Sequence, residues 1–461
     1  MFIVIIAIFL EFLLCNLIIN PTDDAEHTMA SLLLLGINII LVCFAVSYSI
    51  KNEENPKEES VVKTMIFSSF FLRIAILFWD IYARNIFILP NSEGDAEWYH
   101  INAVKYAFGS LSDAVDYRKY SYYVGQLFKF IGVQKITVQF LHIFFAICSI
   151  ILIYKILIMF KVNSDIRRKA IAFACFLPNL MMITTFFLQE SIISFMIILS
   201  LYLYTRWWFG KSFFNIIGAV IASIFAAMLH LGGIVVIVGI LALMPLTINK
   251  KRIIQFSFLK IIFVVLAVFG LLLVISTFGE DLLGKIGGQI SSESITGEVG
   301  LKETGGGAYV IGIPGLPASL DLIINTPIRM IYFVFSPLPW AWRGLSDILA
   351  FFGSALFFMC AVYFTVKALA KRPLKSLRDD SISSYFVVLV VIVLIASIMF
   401  GWGVANAGSA LRHREKFTYL FIVLFAISKE IILRTELKIE SEESVSDSSR
   451  LQCREVSTQM R

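Results

Sequence analysis

Apolar residues come in long runs along the chain, separated by short polar breaks. A helix that crosses a bilayer needs roughly 20 mostly apolar residues. By that measure twelve segments are predicted membrane helices: about 2–19, 30–50, 65–88, 134–160, 170–187, 191–209, 214–229, 231–248, 259–278, 347–370, 383–401 and 417–434. The run 214–248 is split only by His230-Leu231-Gly232-Gly233, which reads as a tight hairpin. The first segment lacks a basic lead and a small-residue cleavage site, so it reads as a retained helix. The predicted fold is therefore all-α and polytopic. Residues 1–434 form the transmembrane domain, and the Ser/Glu-rich stretch 435–461 is a disordered tail.

Basic residues give the orientation. Lys51, Lys57 and Lys63, then Lys161, Arg167, Arg168 and Lys169, then Arg206 and Lys211, then Lys250, Lys251, Arg252 and Lys260, then Lys367, Lys371, Arg372, Lys375 and Arg378 gather on one set of connections. The alternate short loops 20–29, 188–190 and 230–233 carry none. Both termini are placed in the cytoplasm, and segments 90–133, 279–346 and 402–416 on the outer face. The last breaks the charge rule with Arg412, Arg414 and Lys416, which either meet lipid phosphate at a helix end or hold a bound anion.

Composition narrows the class. Hydrophobic residues make up 58% of the 461 and charged residues 16%, which excludes a soluble globular domain, a disordered chain and a collagen. The net charge of +6 is too small to indicate a nucleic-acid partner. Cys15, Cys43, Cys148, Cys175, Cys360 and Cys453 form no CxxC pair and no Cys/His cluster, so neither a disulfide framework nor a metal site is indicated. Segment 90–133 mixes acids and aromatics in short amphipathic stretches and reads as interfacial helices. Segment 279–315 holds eleven of the 27 glycines and reads as a mobile loop, with no Gly-Lys-Ser/Thr to make it a phosphate cradle. Ile328 to Trp342 is apolar but broken at Pro337 and Pro339, and reads as re-entrant or interfacial.

The ionisable groups collect at predicted outer-face turns: Asp95, Glu97 and His100; Glu190; His230; Arg343; and Arg412, His413 and Arg414. Helix centres are nearly free of charge, unlike a proton or ion path. The exceptions are Glu11 in the first helix, and Arg73, Asp80 and Arg84 in the third. Asp80 and Arg84, four apart, are expected to pair locally, while Arg73 and Glu11 each need a partner.

A carboxylate, Asp95 or Glu97, can serve as general base toward a hydroxyl. Arginine forks suit phosphate oxygens. Together they fit transfer of a sugar from a lipid phosphate or pyrophosphate to an alcohol, with arginines holding the departing phosphate. Trp98, Tyr99, Tyr117, Tyr120, Tyr122, Tyr123, Trp340 and Trp342 are candidate sugar platforms or, alternatively, an interfacial aromatic belt. Glu97 also fits a solvated helix face, Glu190 a cap on the helix it precedes, and His230 a helix cap.

Several segments carry a family resemblance. Gly94-Asp95-Ala96-Glu97-Trp98-Tyr99-His100 resembles the first outer loop of GT-C-type membrane glycosyltransferases. Leu177-Pro178-Asn179 with Phe186-Phe187-Leu188-Gln189-Glu190-Ser191, Ser336-Pro337-Leu338-Pro339-Trp340, and Ala407 through Phe417 resemble O-antigen and capsule repeat-unit polymerases of the Wzy type. The resemblance implies a bacterial inner-membrane polymerase acting at the periplasmic face. It implies undecaprenyl-pyrophosphate-linked oligosaccharides as substrate, with a chain-length regulator and a flippase as pathway partners. It implies no metal and no soluble cofactor. The pyrophosphate would sit near Arg412 and Arg414, with Arg343 a further contact. Other readings are a different lipid-phosphate-sugar transferase, a lipid-linked oligosaccharide flippase or transporter, and a noncatalytic scaffold.

Overall fold

A computed structural model of the chain describes residues 25–51, 55–109, 119–210, 212–230, 318–371, 380–404 and 406–459, together with residues 233 and 239. The predicted spans 2–19 and 259–278, nearly all of 231–248, the glycine-rich stretch 279–315, Glu11 and Tyr117 lie outside the described residues.

The described residues form helices α1 Ala25–Ser49, α2 Pro56–Tyr82, α3 Asp95–Phe108, α4 Lys119–Ile131, α5 Lys135–Met159, α6 Ser164–Phe176, α7 Pro178–Ile183, α8 Glu190–Gly210 and α9 Phe213–Leu229. They continue with α10 Ala318–Ile324, α11 Thr326–Phe335, α12 Leu345–Lys371, α13 Ser381–Gly403, α14 Ala407–Glu415 and α15 Thr418–Gln459. Among them α1, α2, α5, α8, α12 and α13 are long and apolar enough to cross a membrane. Large apolar side chains stand exposed at helical spacing along α1, at Met29, Leu33, Ile37, Phe44 and Tyr48. Such a stripe suits contact with lipid. Among the described residues the fold is all-helical, and the apolar helices make the chain a membrane protein.

Besides the span read at 65–88, which is Pro56–Tyr82 and ends before Arg84, two elements differ from the pattern reading. The run 170–187 is not one helix. Pro178 lacks an N–H and ends α6 before it, and α7 starts at the proline itself. The second is α15, which runs unbroken from Thr418 through the stretch read as a disordered tail to Gln459.

Polar contacts sort the helix ends into two groups. At one end the Arg167 guanidinium donates to buried Glu58 at 2.7 Å, joining α6 to α2. Glu430 of α15 accepts from the Asn163 N–H at 2.8 Å and from Arg434 at 2.6 Å. Trp208 of α8 donates to Ser381 of α13 at 2.7 Å, and Lys371 of α12 pairs with Glu436. At the opposite end lie Asp80, Asp95, Lys135, Glu190, His230 and α14.

Two buried arginines close helix ends inside the bundle. The Arg73 guanidinium donates to Ser69 and, at 3.2 Å, to the Cys175 carbonyl in the last turn of α6. Arg414 donates at 2.7 Å to the carbonyls of Val334 and Ser336 where α11 ends, and at 3.0 Å to Ser354. A cation there satisfies carbonyls that the broken helices leave open and complements the helix dipole. Ser354 sits in a wider π turn over Phe351–Ala355 within α12, and its hydroxyl donates to Glu415 at 2.6 Å.

Helices α3 and α4 pack at backbone distance through Gly125. A Cβ there would lie 2.7 Å from the Tyr106 Cβ and 2.8 Å from the Ala103 carbonyl oxygen. Gly125→Ala therefore forces the two helices apart, at a cost of about 1–3 kcal/mol. The expected outcome is a lower midpoint in detergent thermal unfolding, and an unchanged midpoint contradicts this packing.

Candidate active site

Helix α3 begins at Asp95 because Gly94 turns the chain into it with φ of 63°. That left-handed conformation suits glycine. Its buried face is Ala96, Tyr99, Ala103 and Tyr106, at helical spacing. Asp95 and Glu97 lie on either side of this stripe, about 200° apart around the axis. They consequently face different neighbours.

Asp95 turns to α14. Its carboxylate pairs with the Arg412 guanidinium. The Arg412 Nε lies 3.3 Å from buried Glu190, the first residue of α8. Lys416, four residues after Arg412 and so on the same face, reaches the same Glu190 oxygen at 3.6 Å. The Lys416 ammonium also donates to His413 Nδ1 at 2.7 Å. The His413 ring lies 4.9 Å from the His230 ring, and His230 stacks on Phe400 at 5.6 Å. Segments far apart in sequence thus deliver Asp95, Glu190, His230, Arg412, His413 and Lys416 to one place. Burial pushes the Arg412 guanidinium down to about 10, so it is still a cation at neutral pH.

Glu97 turns the other way, to α2 and α5. It pairs with Arg84, and Lys135 lies 3.4 Å from it. Buried Asp80 completes this group, 3.6 Å from both Arg84 and Lys135, and accepts from Gln139 at 2.8 Å. The expected Asp80–Arg84 pair is therefore part of a larger network. Burial pushes the Glu97 carboxyl up, but the Arg84 hydrogen bond and the Lys135 and Arg84 charges outweigh it and hold the group below the usual carboxylate range. His100 lies on the same side, packed edge-on against Phe128 and Phe187. Its imidazole is held below the usual range by burial and the Lys135 charge.

The aromatics near the acids divide by burial. Tyr99 and Tyr120 are fully enclosed and pack edge to face with ring centres 5.2 Å apart, so they are core rather than sugar platforms. The Tyr120 hydroxyl lies 3.0 Å from His142 Nε2, while His142 Nδ1 lies 2.7 Å from the Phe186 carbonyl. The carbonyl can only accept, so Nδ1 carries the proton and Tyr120 donates to Nε2. This chain ties α4 to α5. Trp98 packs edge-on against Tyr99, while Tyr122 and Tyr123 are exposed.

Two predicted anion-binding arginines stand apart from the cluster. Arg414, two residues from Arg412, points to the opposite side of α14 and is fully enclosed, over the Phe358 ring at 4.7 Å. Its donors serve α11 and α12, so a headgroup does not reach it. Arg343 is exposed and pairs with Asp347 at 3.2 Å, and no described contact joins it to Asp95 or Arg412. Lys416, expected with Arg412 among the outer-face cations, joins the cluster through Glu190. Lys135 is the member the pattern does not single out, and its one signal is a position at the start of a predicted span.

Comparison with protein-family models, with curated proteins and with solved structures found no match.

Glu97→Gln removes the acceptor that Arg84 and Lys135 share. A folded-state pKa below the unfolded one stabilises above the ordinary carboxylate range, and that contribution is lost as pH falls through the folded value. A partly exposed pair of this kind contributes about 1 kcal/mol. Thermal unfolding in detergent should show Glu97→Gln a few degrees below the wild type near pH 7. The gap should close at acidic pH, and a gap of constant size across that range contradicts the assignment.

Proposed function

We propose that the chain is a membrane glycosyltransferase that polymerises lipid-linked oligosaccharide repeat units. The reaction moves a glycan from a polyprenyl-pyrophosphate carrier such as undecaprenyl pyrophosphate to an acceptor sugar hydroxyl. The observation that carries this reading is the meeting of Asp95 with Arg412. The chemistry asks for an acid and an anion-binding guanidinium at one end of the bundle, and these two come from opposite halves of the sequence.

In the proposed step the acceptor hydroxyl oxygen attacks the anomeric carbon. A new C–O bond forms, and the C–O bond to the diphosphate breaks with its electron pair leaving on the diphosphate. Asp95 takes the hydroxyl proton. Arg412 binds the departing diphosphate and stabilises its growing charge. Glu190 holds the guanidinium from behind, Lys416 shares the same Glu190 oxygen, and His413 with His230 lies beside them. Glu97 is a positioning residue: clamped to Arg84 and Lys135, it sets the rotation of α3 that aims Asp95 at α14. The basic connections at the opposite end support a cytoplasmic side there, and the proposed site would then face the periplasm of a bacterial inner membrane. A flippase and a chain-length regulator would act before and beside it.

A transporter reading calls for charge that recurs through the membrane depth and faces a path. Arg73 is deep, but its donors go to Ser69 and to a helix-end carbonyl, which is a structural role.

The test is a gene deletion complemented with variants, read as the gel ladder of lipid-linked and surface glycans. The wild type should restore long chains. Arg412→Ala and Asp95→Asn, inserted at wild-type level, should leave single repeat units, a loss of about 100-fold or more in polymer. Long chains from a deletion strain or from Arg412→Ala would remove the proposal.

A further inference from the structure

In the described structure the candidate base is occupied. A carboxylate paired with a guanidinium has its oxygens engaged and is not turned toward an acceptor hydroxyl. The same pairing places Asp95 where a phosphate oxygen would meet the Arg412 fork. Both parts of the proposed chemistry therefore need this contact to open.

Three observations bear on how it opens. The first is charge balance: Asp95 and Glu190 face Arg412 and Lys416, so an incoming anion meets a formally neutral group unless one carboxylate leaves. The second is exposure. The Asp95 side chain is 40% exposed, against 19% for Arg412 and 1% for both Glu190 and Lys416, so solvent and ligand approach from the Asp95 side. The third is freedom to move. Glu190 is walled in at the start of α8, whereas Asp95 follows Gly94, around which nothing lies within 4 Å of a built Cβ.

We infer that the Asp95–Arg412 ion pair is a latch opened by the phosphate or diphosphate group of the substrate. The anion takes over the Arg412 donors from Asp95, Glu190 keeps the guanidinium in place, and the released carboxylate becomes available as base. The inference rests on the glycosyl-transfer reading and adds a gate to it: the base is set free only where a phosphate group is bound. In the empty enzyme it stays neutralised.

The test is binding, read on the full-length protein in lipid nanodiscs with two probes, inorganic pyrophosphate and a polyprenyl pyrophosphate. Removing the competing carboxylate should tighten binding of the anion. Asp95→Asn, and Asp95→Ala as a second variant, should bind at least one probe about tenfold more tightly than the wild type. Gain for both probes assigns the site to the diphosphate group itself, and gain for the polyprenyl form alone assigns it to the lipid headgroup. Glu93→Gln, which removes an exposed charge two residues away, is the control and should gain little. No gain in the Asp95 variants, or an equal gain in Glu93→Gln, overturns the latch. Arg412→Ala separates the two levels. If it loses binding while the Asp95 variants gain nothing, the latch alone fails. If it binds as the wild type does, the anion site itself fails.

Discussion

Charge brought into a helical bundle that sits in lipid must find opposite charge, and the salt bridges of Arg412 with Asp95 and Glu190 are where this constraint shapes the molecule most. They join α14 to α3 and α8, elements with few other reasons to meet. Removing Glu190, the enclosed carboxylate, would take from enclosed Lys416 its counter-charge, a cost of about 3–5 kcal/mol. The position of the acid relative to the cation therefore follows from the fold's own electrostatic needs. A ligand that carries its own negative charge can enter the arrangement by taking the place of a carboxylate.

The same constraint explains why two arginines so near in sequence have different jobs. Arg412 faces Asp95 and Glu190. Arg414 faces the interior, where the end of α11 presents the Val334 and Ser336 carbonyls. Backbone carbonyls inside a membrane protein need donors, and a guanidinium supplies several from one side chain. Arg73 does the equivalent for α6 at Cys175, just before the Pro178 break. Irregular backbone at depth and buried arginine are thus two halves of one solution. The wider turn of α12 belongs to it as well, because it presents Ser354 to both Arg414 and Glu415.

Much of this was legible in the amino-acid pattern. The apolar runs at 30–50, 134–160, 191–209, 347–370 and 383–401 match helices closely, because length and hydropathy are direct consequences of crossing lipid. The grouping of Asp95, Glu190, His230, Arg412 and His413 was legible because each sits at a helix end on the same side. Hydropathy did not register Pro178, so two helices were read as one run. It also could not separate Asp95 from Glu97, or Arg412 from Arg414. Those assignments depend on which face of a short helix is buried, and that is decided by partners distant in sequence, such as Lys135 for α3 and the α11 terminus for α14. Arg343 read as a member of the site from its place at a predicted outer-face turn, but its near neighbour Asp347 claims it.

The central claim is the proposal that the Asp95–Arg412 cluster breaks a sugar–diphosphate bond while making a glycosidic one. The most direct measurement is made on the purified protein in proteoliposomes, supplied with polyprenyl-pyrophosphate-linked oligosaccharide. It follows released polyprenyl pyrophosphate and newly formed glycosidic bonds in the same reaction. The account predicts that the two appear in equal amounts and that both vanish with Arg412→Ala. Carrier release without bond formation, or equal turnover by the variant and the wild type, would contradict it.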